Sequence, residues 1–143
     1  MKQFIAHLLS ITVALSFTTI RDVQVPPWQH AAHWTLYNVR GAKFYRLALD
    51  SLNKYNSRPL NDDSMHVFLS ESFALPSNKA PMWMGAYVTT CSVDNRRRKI
   101  DISTYGGFFY DETEKKFYSV PQDVQKDWLN YLANCAGQIL SNK

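Results

Sequence analysis

The spacing of hydrophobic and polar positions changes character several times along the chain. Lys2 is the only charge before Arg21, and Phe4 to Phe17 between them is predominantly apolar. A basic start followed by about fourteen mostly apolar residues has the form of a secretory signal. Ala14 and Ser16 supply the small side chains that a cleavage after Ser16 requires. Residues 1–16 are therefore read as a signal peptide. The alternative is an uncleaved anchor, for which the stretch is short and carries His7, Ser10 and Thr12. Residues 17–33 contain Pro26-Pro27 and little periodicity, and read as an N-terminal arm or linker.

From Trp34 onward the pattern is that of short strands. Trp34 to Val39 and Lys43 to Leu49 read as a hairpin around Gly41, and Asp50 to Ser64 reads as turn and loop. Met65 to Glu71 alternates and predicts a third strand. Met82 to Val93 is almost uncharged on both faces, as expected of a central strand covered on both sides. Arg98 to Tyr105 sets Ile100, Ile102 and Thr104 against Lys99, Asp101 and Ser103, the pattern of a half-buried antiparallel strand. Gly106-Gly107 predicts a kink or bulge. Phe108 to Tyr110 and Phe117 to Ser119 flank a polar turn and predict a last hairpin.

After Pro121 the period becomes helical. Val124, Trp128, Tyr131, Leu132, Cys135, Ile139 and Leu140 recur at three and four, one apolar face of a helix. The expected fold is α+β: one domain over residues 34–143, with an antiparallel sheet of about six strands and one C-terminal helix packed on it.

Composition narrows the class. At 143 residues, with 45% hydrophobic and 14% aromatic content, the chain has one core's worth of apolar surface and is not disordered. No repeat of solenoid length is visible. A net charge of +4 and a pI near 9.1 fall short of a dedicated nucleic-acid binder. Loss of Lys2 with the signal leaves fifteen Lys and Arg against twelve Asp and Glu, a net +3.

Cys91 and Cys135 are the only thiols. An even count in an exported chain predicts a disulfide, here closing a loop of about 45 residues and worth about 3–4.5 kcal/mol. Cys135 lies on the apolar stripe of the C-terminal helix, so the bridge would fasten that helix to the strand ending at Cys91. The other reading is two buried free thiols. Neither cysteine has the companions of a zinc site.

Little in the sequence carries chemistry. His30-Ala31-Ala32-His33 has the spacing of a metal pair on a helix, yet no acid or cysteine accompanies it, and no metal or cofactor is expected. His66 reads as a sheet residue. No nucleophile elbow, zinc-protease motif or phosphate-cradling loop is present, and the acids cluster in apparent turns, so no enzyme is expected. The one sharp charge feature is Arg96-Arg97-Arg98-Lys99, directly after Asp94-Asn95. It reads either as a solvated hairpin tip or as a patch that recognises an anionic ligand or an acidic protein face. Strand alternation sends Arg96 and Arg98 to one side, Arg97 and Lys99 to the other. Trp28, Trp34, Tyr37, Phe44, Tyr45, Trp83 and Phe108 to Tyr110 form either a binding groove, the core, or a sheet face covered by a second subunit in a homodimer.

The order of these features resembles the surface-adhesin protein E family of Gram-negative bacteria. The resemblance runs from Trp34 to about Leu140. It rests on the opening strand with Trp34, on Phe44-Tyr45 leading into Asp50-Ser51-Leu52, on Met65 to Glu71, on the strand ending at Cys91, on Ile100 to Tyr105, on Trp128 and on the helix carrying Cys135. It implies bridged cysteines, a six-stranded antiparallel sheet on a C-terminal helix, and a periplasmic or cell-surface binding protein acting through basic segments. Two features depart from the family pattern. The strand Ala80 to Thr90 has no cation, the basic run following Cys91 instead, and no lipid-attachment cysteine stands near residue 20. The expected function is an exported, non-enzymatic module that binds a protein or anionic surface ligand. It would meet no nucleic acid, and a membrane only through an uncleaved signal. The alternative is a periplasmic immunity or inhibitor protein that occludes a toxin or cell-wall hydrolase.

Overall fold

A computed structural model describes residues 27–39, 47–84, 87–105 and 107–141. The signal-like segment, most of the arm and residues 43–46 of the expected strand Lys43 to Leu49 lie outside the described residues; Leu47 to Leu49 are not strand and lead into a 3-10 turn. Seven antiparallel strands form one sheet: β1 (Ala32–Tyr37), β2 (Ser57–Pro59), β3 (Phe73–Ala74), β4 (Tyr87–Val93), β5 (Arg96–Ile102), β6 (Phe108–Asp111) and β7 (Lys116–Ser119), in the order β2-β1-β4-β5-β6-β7-β3. Two helices, α1 (Asp62–Leu69) and α2 (Gln122–Ser141), complete the α+β fold with short 3-10 turns at Pro27–His30 and Leu49–Lys54. Among the described residues the sheet has seven strands rather than about six; the stretch expected to be loop contributes β2, and Phe73-Ala74 pairs with Ser119 and Tyr118 of β7.

The clearest departure is Met65 to Glu71, which is helix and not strand. Asn61 caps it, its side chain accepting from the Ser64 amide at 2.8 Å, and Asp62 and Asp63 place negative charge in the first turn. Met65 and Leu69, one turn apart, are buried, whereas Val67, which a strand would place on their face, is 65% exposed. The long strand expected from Met82 begins only at Tyr87, and Met82 and Met84 are exposed. The last hairpin and the C-terminal helix stand where their periodicities place them.

One core fills the face of the sheet that carries Trp34, Leu36, Cys91, Ile100, Ile102 and Phe109. It is closed by Met65 and Leu69 of α1 and by Trp128, Leu132, Cys135 and Ile139 of α2. Trp28 joins it: its indole N–H donates to the Leu69 carbonyl at 3.1 Å, and its ring meets Tyr118 and Phe109 edge-on at 3.7 and 5.0 Å. Much of the aromatic set is therefore core rather than groove. A smaller cluster on the opposite face gathers Tyr37, Val39, Leu52 and Val88.

The expected disulfide is not formed. Cys91 and Cys135 are both buried thiols of this core. Cys135 lies one turn along α2 from Tyr131, whose hydroxyl accepts from the Asn61 amide at 2.8 Å. Cys91 lies across the ladder from Arg98. Burial, reinforced by the Asp111 carboxylate, pushes the Cys91 thiol up to about 12, so it stays protonated and packs as a small apolar side chain.

Helix and sheet are joined at one irregularity. Register shifts between Ala32 and Thr35, and His33 takes a positive φ of 56° there. The amides of His33 and Trp34, turned out of the ladder by this bulge, donate to the Asp62 carboxylate at 2.9 and 3.0 Å. At the other end of the sheet, Gly107 has φ +63°, and a Cβ there would run into the Gln125 side chain of α2.

Candidate functional site

The basic run begins at the first residue after a two-residue turn. Asp94 and Asn95 have φ of 50° and 60°, and Val93 pairs with Arg96. This is a type I′ hairpin turn, which needs two left-handed residues, and Asp and Asn accept that conformation more readily than most. All four cations therefore lie on β5, which runs between β4 and β6, and each meets different surroundings.

Arg96 and Arg97 are exposed. The Arg97 guanidinium is held, however. One terminal nitrogen donates to the Tyr37 hydroxyl at 2.5 Å, and the other to Asn53 Oδ1 at 3.4 Å. The guanidinium carbon lies 5.9 Å from the centre of the Tyr37 ring. The Tyr37 hydroxyl in turn lies 3.4 Å from Thr90 Oγ1. Of the five guanidinium N–H groups, these contacts use two, which leaves a fixed fork with donors to spare.

Arg98 and Lys99 are committed internally. Arg98 donates to Asp111 Oδ2 at 3.1 Å and to Glu114 Oε1 at 3.2 Å. Asp111 is itself buried, and its other oxygen accepts from the Thr113 and Glu114 amides, which ties the β6–β7 turn. Glu114 also accepts from the Tyr118 hydroxyl at 3.2 Å. Burial, then this carboxylate, raises the phenol above its ordinary range. Lys99 is 2% exposed, with Nζ 3.1 Å from Asp101 Oδ2 and 2.6 Å from Glu112 Oε1. Four consecutive cations thus present two to solvent. The alternation expected from the sequence is kept, but beyond Arg97 the polar face of β5, Lys99 and Asp101, is buried rather than solvated.

Of the acids read as solvated turns, Asp111 is buried; Asp101, read on the polar face of the strand, is buried on the opposite side of the sheet. Burial pushes the Asp101 carboxyl up to about 7, against the pull of the Lys99 ammonium and with the help of the neighbouring Glu112. Asp101 and Glu112 form a carboxylate pair, but Asp101 is enclosed. A cavity of about 210 Å³ lies elsewhere, between the end of α1 and the start of α2, lined by Val67, Phe68, Ser70, Glu71, Pro121, Asp123 and Val124. His66 is exposed on α1 and is not a sheet residue. Among the described residues, no three of His, Cys, Asp and Glu converge as metal ligands, and no helix is long and apolar enough to cross a membrane.

Sequence reading missed Tyr37 and Asn53 as the groups that position Arg97, which lie 60 and 44 residues away in the chain. No local signal links them. No family model matches the chain, and neither the curated proteins nor the solved structures yield a match to it.

Proposed function

We propose that the protein is an exported, non-enzymatic binding module that grips an anionic group, on an acidic protein face or a polyanionic surface, with Arg96 and Arg97 at the β4–β5 hairpin tip. The observation that carries this reading is the holding of Arg97. An exposed arginine ordinarily loses side-chain entropy when it binds; one already fixed by Tyr37 and Asn53 loses less. Arg96, next along the chain and on the other face of β5, adds a second exposed cation to the tip. The signal-like residues 1–16 support export, and the resemblance to the surface-adhesin protein E family in the order of aromatics and cysteines supports a binding role. The disulfide is no part of this reading.

The test uses immobilised heparin as a sulfated polyanion. The wild-type protein binds at low ionic strength and elutes as salt rises, since exposed charges are screened within about 8 Å at physiological salt. Arg97→Glu and Arg96→Glu elute at markedly lower salt. Tyr37→Phe, which keeps the ring and removes the hydroxyl, gives an intermediate shift. Wild type and Arg97→Glu eluting together would overturn the reading. Capture of a toxin or hydrolase from the native periplasm, undisturbed by Arg97→Glu, would favour the inhibitor alternative.

A further inference from the structure

Two carboxylates and one ammonium meet on the sheet face opposite the main core. Lys99 Nζ lies 3.1 Å from Asp101 Oδ2 and 2.6 Å from Glu112 Oε1, so one cation serves two acids. Both carboxylates therefore meet at the Lys99 ammonium, and Glu112 helps to raise the Asp101 carboxyl. The side chains of Lys99 and Asp101 are only 2% and 4% exposed, and that of Glu112 28%. Fully ionised, the three carry a net negative charge where water is largely excluded, which is costly.

The hydrogen bonding has a matching defect. Asp101 Oδ1 is buried and accepts from no donor among the described residues. The neighbouring Glu112 carboxylate can only accept when ionised. Two ionised carboxylates on one ammonium leave one negative charge uncompensated. A proton bound by either acid turns that oxygen into a donor and brings the cluster to neutrality.

We propose that Asp101 and Glu112 share one proton over the Lys99 ammonium in the folded protein, making this cluster a pH-responsive element that tightens the fold on acidification and loosens it as pH rises to neutrality. The other described groups facing Asp101 do not replace the proton. Val88 of β4 and Tyr110 of β6 are its partners across the two ladders. Thr90 lies opposite Lys99, and Arg97, farther along the same face, is engaged by Tyr37.

The direction follows from linkage. The carboxyl of Asp101 rises from 3.8 to about 7 on folding. Between those values the folded chain holds a proton that the unfolded chain has lost. Unfolding then releases it, and stability falls as pH rises through this window and levels off above it.

The test is equilibrium urea unfolding of the full chain from about pH 5 to about pH 8. Across the lower part of this range the wild-type unfolding constant rises with pH more steeply than that of Asp101→Asn, the difference approaching tenfold per pH unit and fading toward pH 8. Glu112→Gln flattens the profile as well, because either amide places an N–H donor where the shared proton sits. Asp63→Asn, on α1, keeps the wild-type slope. Parallel profiles for wild type and Asp101→Asn would overturn the proposal. Should either cluster variant fail to fold, infrared spectra of the folded wild type decide. A carbonyl band of a protonated carboxyl present near pH 6 and lost near pH 8 supports the shared proton. Its absence at both overturns it.

Discussion

Asp62→Ala tests the junction between bulge and helix. Asp62 accepts the His33 amide at 2.9 Å and the Trp34 amide at 3.0 Å. Neither amide can return to the β1–β4 ladder, because the register has shifted past them. A hydrogen bond to a charged group contributes about 1.5–3 kcal/mol when shielded and less when water can take its place. The His33 bond is exposed, so water recovers much of it; the Trp34 bond is part-buried, and Trp34 itself is 2% exposed. The substitution also removes a negative charge from the first turn of α1, worth a few tenths of a kcal/mol. The expected loss is about 2–3 kcal/mol, a large share of the 5–15 kcal/mol that typical domains possess. Urea unfolding followed by tryptophan fluorescence reads it as a lower midpoint at unchanged slope. Asp62→Asn retains one acceptor oxygen and loses about half as much. A change below about 0.5 kcal/mol for Asp62→Ala would refute the reasoning, because surface substitutions without structural consequence fall in that range.

Two further outcomes follow from the core. Trp128 is fully buried and packs edge-on against Phe109 at 5.9 Å, yet its indole N–H has no acceptor among the described residues. Trp128→Ala therefore loses about 3–5 kcal/mol in urea unfolding, while Trp128→Phe, which forfeits no hydrogen bond, retains most of the stability; equal losses would contradict this packing. The two thiols should resist alkylation in the folded protein and take up two alkyl groups per chain when unfolded without reductant, read by intact mass. A chain that takes up none after unfolding has its cysteines bridged.

The parts of this fold that were legible are those whose pattern is local. The apolar stripe of α2 repeats over five turns, and the β6–β7 hairpin is marked by aromatic pairs on either side of a polar turn. Met65 to Glu71 misled because Met65, Val67 and Leu69 fit a strand as well as Met65, Phe68 and Leu69 fit a helix. Asn61-Asp62-Asp63-Ser64 just before it was the deciding signal: a cap followed by acids. At the candidate site, the sequence displayed four cations but not their neutralisation. Lys99 finds Glu112 and Arg98 finds Asp111 only because β6 pairs beside β5 and its turn folds back over them. Likewise, nothing near Arg97 announces Tyr37, because β1 reaches it only through the sheet.

The two outermost strands of the described sheet have a consequence for how a partner can be met. β2 spans three residues and ends in Pro59, which lacks an amide hydrogen, and β3 spans two. Neither rim offers a backbone long enough to recruit a visiting polypeptide as an eighth strand, the way some adaptor domains capture extended peptides. Association is left to side chains, and mixtures of this protein at high concentration should resist zipping into ribbons along these two margins.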